Sequence, residues 1–257
     1  MVTVLSPAKK LLKECSARTK IYRTPRFLDN SEELVEYLKM MDPVGLMSLM
    51  GISEKLAFLN WERIQNWHKS FTPENSMEAI YFFQGDTYTG LDAESLNISN
   101  LEFAQEHTRI LSGLYGVLKP LDIMMPYRLE MGTKLKNREG NTLYDYWGDL
   151  LARSINEDLK GHKQKVVINC ASVEYFKSIA HPILQADVIT PQFKEIKDGK
   201  IKMISFFAKR ARGMMARYII KNEIEKNQDI LEFNLGGYAY DPSLSTPNEP
   251  VFTRAQA

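Results

Sequence analysis

Short apolar runs and stretches of helical spacing alternate irregularly along this chain, and their order sets the first expectation for the fold. Val2–Leu5 reads as a buried strand that ends at Ser6-Pro7-Ala8-Lys9. Asn30 and Glu33 stand at capping-box spacing and predict a helix over 30–41, closed at Asp42-Pro43. A second helix is predicted over 53–67, with Leu56, Leu59, Ile64 and Trp67 available for burial. Thr72-Pro73-Glu74 reads as a further helix start, whereas 84–92, Q-G-D-T-Y-T-G-L-D, reads as a loop or irregular turn. Ser99 and Glu102 predict a helix whose apolar stripe takes in Phe103, His107, Ile110 and Leu111, with His107 a satisfied core histidine. Thr142 starts a helix that runs to about Asn156. The run 165–170 reads as a central strand leading into the turn Ala171-Ser172 and a short helical entry. Two β-prone runs around Asp198-Gly199 make 192–207 the clearest hairpin. Because helices and strands do not alternate regularly, a regularly wound α/β sheet is disfavoured. The expected fold is one compact α+β domain over residues 1–257, a mixed β-sheet core surrounded by helices.

Composition leaves that picture unchanged and removes several function classes. The chain is 44% hydrophobic and 25% charged, ordinary for a globular protein. No apolar run approaches the ~20 residues needed to span a bilayer. The N-terminus lacks a signal peptide's long apolar region, so a cytoplasmic location is the expectation. Cys15 and Cys170 form no C-x-x-C, and the four histidines have no metal-ligand spacing. Phosphate-loop, dinucleotide and nucleophile-elbow motifs are missing. No metal or cofactor is therefore expected.

Charge is distributed unevenly. Between residues 194 and 226 there are ten Lys/Arg and four Asp/Glu, a local +6 in a chain that carries +1 overall. Such a field suggests an anionic partner. The stretch 204–222 joins an apolar strand to a cationic helix. At about 100° per residue, Arg210, Gly213, Arg217 and Lys221 share one stripe, and Ala208, Ala211, Met215 and Ile219 the opposite one. Gly213 either lets a phosphate approach the backbone or serves tight helix packing or a kink. Arg212, beside the apolar stripe, either snorkels past the core edge or sits in an ion pair.

Three further segments carry candidate chemistry. L-S-G-L-Y-G-V-L-K-P, at 111–120, is similar to the hairpin of helix-hairpin-helix motifs, with Gly113 and Gly116 offering backbone N–H groups and Lys119 a charge. A C-cap glycine and a structured turn explain the same residues. Arg128 and Glu130, beside Tyr127, form either a site or a structural ion pair. Asn169, Ser172 and Glu174 follow a strand end, a common ligand position, though Ser172 also suits an N-cap and Glu174 a first helical turn. Cys170 reads as a small buried apolar residue rather than a nucleophile.

Taken together, S-P-A-K at 6–9, G-D-x-Y-T-G-L at 85–91, L-S-G-L-Y-G-V-L-K-P-L-D at 111–122 and P-Y-R-L-E-M-G at 126–132 resemble the YaaA peroxide-stress protein family. L-Y-x-Y-W-G-D at 143–149, V-I-N-x-A-S-x-E-Y-F at 167–176 and I-S-F-F-A-K-R-A-R-G-M-M-A-R-Y at 204–218 extend the likeness in collinear order. The resemblance implies a cytosolic protein that helps cells survive hydrogen peroxide and limits damage from unincorporated iron. It also implies duplex DNA binding through a basic cleft and a helix-hairpin-helix-like element. The peroxide connection is not legible in the residues themselves, whereas DNA binding fits the basic stripe. The expected DNA contacts are Lys9, Gly113, Gly116, Lys119, Arg128, Lys209, Arg210, Arg212, Arg217 and Lys221, in a protein expected to be monomeric. The alternative is an enzyme acting on nucleobases, nucleotides or damaged DNA, with Glu130 or Glu174 as acid/base.

Overall fold

A computed structural model describes residues 1–255. Its strands are β1 (Val2–Leu5), β2 (Lys10–Leu11), β3 (Met77–Glu78), β4 (Phe83–Gln84), β5 (Thr108–Ser112), β6 (Gly116–Leu118) and β7 (Ile123–Met124). They continue with β8 (Val166–Cys170), β9 (Asp187–Ile189), β10 (Gln192–Lys197), β11 (Lys200–Lys202), β12 (Ala239–Tyr240) and β13 (Val251–Ala255). The helices are α1 (Leu28–Lys39), α2 (Pro43–Met50), α3 (Glu54–Gln65), α4 (Ala79–Phe82), α5 (Asp86–Leu91), α6 (Ile98–His107), α7 (Leu143–Trp147), α8 (Leu150–Leu159), α9 (Val173–Phe176) and α10 (Ser205–Lys221).

The fold is α+β with mixed sheets. Five strands lie in the order β6-β5-β1-β8-β9, and four more in the order β11-β10-β13-β12. In the larger sheet β5, β1, β8 and β9 run parallel and β6 antiparallel. β1 and β8 read V-T-V-L and V-V-I-N-C and are buried throughout, as strands covered on both faces must be. From β1 the chain goes to β5 on one side and then crosses to β8 on the other. The carboxyl ends of β1 and β8 therefore mark a topological switch point, where crevices form. One hydrophobic core includes residues of both large sheets and the inner face of α10.

Several local expectations are corrected. Segment 84–92 is not a loop, because α5 forms there despite its weak helix formers. It is held by α10, and the two helices meet at glycines. A Cβ on Gly213 would stand 1.7 Å from the Thr87 carbonyl oxygen, and one on Gly90 2.0 Å from that of Arg210. Gly213 therefore faces the core, buried, and its role is close helix packing. Residues 108–118 form the β5–β6 hairpin, so the two glycines within it do not join a pair of helices. Gly113 and Gly116 are buried there, and Trp147 Nε1–H donates to the Gly113 carbonyl oxygen at 3.1 Å. The first helix begins at Leu28 rather than at Asn30, and Asp42 caps α2 by accepting from Gly45 N at 2.8 Å. Residues 73–75 form a turn. The helix from Thr142 breaks at Gly148, whose φ of 47° separates α7 from α8. Leu56 and Leu59 are exposed. His107 is the satisfied core histidine expected, stacked on Phe103 with Nδ1 3.0 Å from the Met1 carbonyl oxygen.

Candidate functional site

A cleft of about 530 Å³ opens at the carboxyl ends of β1 and β8. Ser6 and Ser172, each just past its strand, tie the two ends together. Ser172 N donates to Ser6 Oγ at 2.8 Å, and the Tyr88 hydroxyl donates to the Ser6 carbonyl oxygen at 3.0 Å. Asn169 serves the same turn, with its Oδ1 accepting from Ala171 N at 3.0 Å. Tyr88, Tyr127 and Tyr175 line the cleft as well. Burial pushes all three phenols well above their ordinary range, so they stay neutral hydrogen-bonding groups.

The walls carry charge. Lys9, Lys10, Arg128, Lys209 and Arg212 line the cleft, against Asp86, Glu130 and Glu174. Five cations facing three carboxylates leave an excess suited to an anion. Glu130 is 15% exposed, and its Oε1 meets both Lys9 Nζ and Arg128 Nη2 at 3.0 Å. The segment that carries Arg128 and Glu130 is irregular, yet it is fixed by this three-charge junction and by the Tyr127 hydroxyl, 2.6 Å from Ser112 Oγ. Arg128 Nε is buried without a protein acceptor among the described residues. Glu174 Oε1 accepts from Gly132 N at 2.9 Å, which joins the β8–α9 turn to the same segment. Lys209 and Arg212 come from the first half of α10. Arg212 snorkels into the cleft, with no carboxylate paired to it among the described residues, and its charge is felt by the nearby Cys170. Burial pushes the Cys170 thiol up to about 12, in keeping with a core cysteine that does not attack.

Of the expected DNA contacts and acid/base candidates, Lys9, Arg128, Glu130, Glu174, Lys209 and Arg212 meet in one cleft, which Ser172 also lines. The others lie elsewhere. Arg217 Nη1 donates to the Asp92 carbonyl oxygen at 2.9 Å and lies 3.2 Å from Asp92 Oδ2. It also reaches the Leu91 carbonyl and Ser95 Oγ, so it caps the end of α5 instead of facing solvent. The α5–α10 glycine contact that buries Gly213 is what brings those carbonyls within reach. Arg210 and Lys221 are exposed outside the cleft. Lys119 lines a separate cavity of about 280 Å³ and lies 3.4 Å from Glu106. Lys10, Gln84, Asp86 and Tyr88 are lining residues that the pattern of the sequence does not single out. Asp86 and Tyr88 lie within G-D-x-Y-T-G-L, and Lys10 and Gln84 stand directly beside S-P-A-K and that motif.

No helix among the described residues is long and apolar enough to cross a membrane. Comparison with known proteins gives a match to the family described as Peroxide stress protein YaaA over residues 1–244. The chain is also 48% identical over 254 residues to a UPF0246 protein of Shewanella sp. (strain W3-18-1), covering 99% of each chain. A UPF0246 protein of Shewanella putrefaciens (strain CN-32) is similar to the same degree and extent. With the family match spanning the cleft, α10 and most of both large sheets, the chain belongs to the YaaA family of peroxide stress proteins.

Proposed function

We propose that this protein acts in peroxide stress by holding duplex DNA against the cleft, with little sequence specificity, as a cytoplasmic monomer that limits iron-dependent oxidative damage. The observation that carries the DNA part is the convergence of Lys9, Lys10, Arg128, Lys209 and Arg212, from three separate parts of the chain, on one concave surface. Cations gathered this way contact phosphates, and phosphate contacts give affinity without reading bases. The iron part follows from the family resemblance alone.

The test is fluorescence anisotropy with a labelled duplex across a salt series. Log affinity should fall with log salt at a slope of about −0.9 per neutralised phosphate. Lys209→Glu with Arg212→Glu should lower affinity at least about tenfold and flatten that slope. A folded double variant that binds as tightly as the parent would exclude the cleft as the DNA surface.

A second reading is favoured by the shape of the cleft. Its volume of about 530 Å³ is within the usual ligand-pocket range of about 300–1,000 Å³, and Glu130 and Glu174 line it. Acid/base work on a nucleobase or nucleotide by one of these carboxylates would suit that shape. Incubation with nucleotides and lesion-bearing duplexes should then give a product that disappears in Glu130→Gln or Glu174→Gln. If no substrate in the panel is turned over, binding alone stands.

A further inference from the structure

The hairpin that leads into α10 has no role in the cleft, yet its surface is unusual. β10 and β11 pair antiparallel with Ile196 opposite Ile201 and Lys197 opposite Lys200. Asp198 and Gly199 turn between them at φ 50° and 70°, both positive, as a two-residue hairpin turn requires. β11 is the outer strand of its sheet, and residues 197–206 are all exposed.

That exposed run reads K-D-G-K-I-K-M-I-S-F. Three lysines stand against one aspartate, and four large apolar side chains lie among them: Ile201, Met203, Ile204 and Phe206, with Met203 53% and Phe206 51% exposed. Lysines on an edge strand are a familiar guard against pairing with another chain. The guard does not explain the apolar residues, which an edge under that pressure would avoid. A second copy of this chain is a poor occupant, because it would bring lysines against lysines. The occupant must be anionic and also offer flat apolar faces, and nucleic acid does both.

Phe206 rests against a neighbour that is itself held in place. It meets Phe207 edge-on at 5.4 Å, and the Arg254 guanidinium covers Phe207 at 4.7 Å while Arg254 Nε holds Glu195 Oε2 at 2.9 Å. Phe206 lies less than one helical turn before Lys209, which lines the cleft.

We infer that the hairpin tip and the start of α10, residues 197–206, form a second DNA-contacting element, with Lys197, Lys200 and Lys202 on phosphates and Phe206 wedged against an unstacked base step at the rim of the cleft. Apolar wedges of this kind unstack and kink a duplex that basic groups hold in place. The inference rests on the reading of the cleft as a DNA site.

The experiment uses the full chain and a duplex carrying aminopurine, a base whose fluorescence is quenched by stacking, at each position in turn. Binding of the parent should raise the emission at one or two adjacent positions. Phe206→Ser should abolish that rise and weaken binding about tenfold, the scale of a single base–aromatic stack, while leaving the salt slope unchanged. Ile201→Ser, on the flat of the hairpin, should keep the emission rise, which separates a wedge from general removal of apolar surface. Exchange of the three lysines for glutamine should flatten the salt slope by about 0.9 for each phosphate no longer neutralised. Binding with a normal salt slope but no emission change would overturn the wedge and leave the cleft reading standing. Failure of the parent to bind any duplex would overturn both. Vesicles of phosphatidylserine retained by the parent and released by Phe206→Ser, without a DNA effect, would assign the hairpin to membranes instead.

Discussion

The two ends of the large sheet use the same residue types to opposite ends. At the carboxyl end, Glu130 meets Lys9 and Arg128 in an open cleft whose cations outnumber its acids. Near the amino end of β5, Asp158 is gripped by Arg109 Nε and Arg26 Nη2, each at 2.6 Å. There Arg109 is 1% and Asp158 5% exposed. Arg109 also donates to the carbonyl oxygens of Gln105 and Thr108 at 2.9 and 2.7 Å. Burial pushes the Asp158 carboxyl up, but the two guanidiniums outweigh it and hold it below its usual range. Asp158 and its two arginines are paired with one another in a buried network, whereas Lys9 in its junction with Glu130 stays open to solvent at the cleft. A count of arginines along the sequence cannot separate these cases, because the difference lies in burial and pairing.

The sharpest way to break the comparison is to remove Arg109. Arg109→Met leaves Asp158 buried beside a single partner, and chemical denaturation should show a loss of about 3–5 kcal/mol. If the loss is under about 1 kcal/mol, the amino-end network is not structural and the contrast fails.

Asp122 gives the next largest effect. It lines the amino-end cavity, and burial raises its carboxyl from 3.8 to about 7, against the pull of the Lys119 backbone N–H and nearby cations. Between those two values the folded chain holds a proton that the unfolded chain has released. Its stabilising contribution is therefore complete below about pH 4 and is lost as pH rises through about 7. Asp122→Asn, which keeps an oxygen for Lys119 N, should remove a fall of roughly 2–4 kcal/mol from the pH–stability curve in that window. An unchanged curve would show that Asp122 is ionised at neutral pH in the fold.

Gly213→Ala tests the helix contact that sets the cleft wall. With the Thr87 carbonyl oxygen only 1.7 Å from the new methyl, the helices must separate, and a loss of at least about 1–3 kcal/mol is expected. A wild-type melting temperature would restore the alternative that Gly213 faces a ligand. The smallest change in stability belongs to the cleft itself. Lys209→Gln and Arg212→Gln should each shift unfolding by less than about 0.5 kcal/mol while lowering DNA affinity. Stability loss there as large as at Arg109 would erase the distinction between the two ends.

How far the sequence can be read depends on how local the deciding physics is. Val2–Leu5 and 165–170 announce themselves because a strand buried on both faces reads as a largely apolar run. Asp198-Gly199 is legible because few residue pairs accept two positive φ values. His107 is read correctly as a core histidine, although α6 ends there and Ile110 and Leu111 of the expected stripe belong to β5. By contrast α5 escapes the pattern. After Asp86, the residues Thr87, Tyr88, Thr89 and Gly90 are weak helix formers, and only packing on α10 stabilises the helix. The turn at 113–116 is ambiguous for a related reason. Two glycines in a short span fit several turns, and only burial against Leu129, Trp147 and Leu151 selects the β-hairpin.

The candidate site divides in the same way. Lys9, Arg128, Glu130, Glu174, Lys209 and Arg212 can be singled out by residue type and local surroundings. Arg217 cannot be told from them, because its partners Asp92 and Ser95 lie more than a hundred residues away in sequence.

By itself the sequence determined the family, the central strands, the turn at Asp198-Gly199 and the excess of positive charge at residues 194–226, whereas the expected hairpin over 192–207 stops at Lys202 and α10 starts at Ser205. Those properties are set by residue type and near neighbours. Only the tertiary structure decided which cations face the cleft. It buried Gly213 against α5, turned Arg217 inward as a cap, locked Arg109 onto Asp158, and gathered Lys9, Arg128, Lys209 and Arg212 at the switch point of the large sheet. The physical reason is that pairing and desolvation act over a few ångströms in space, whatever the separation along the chain.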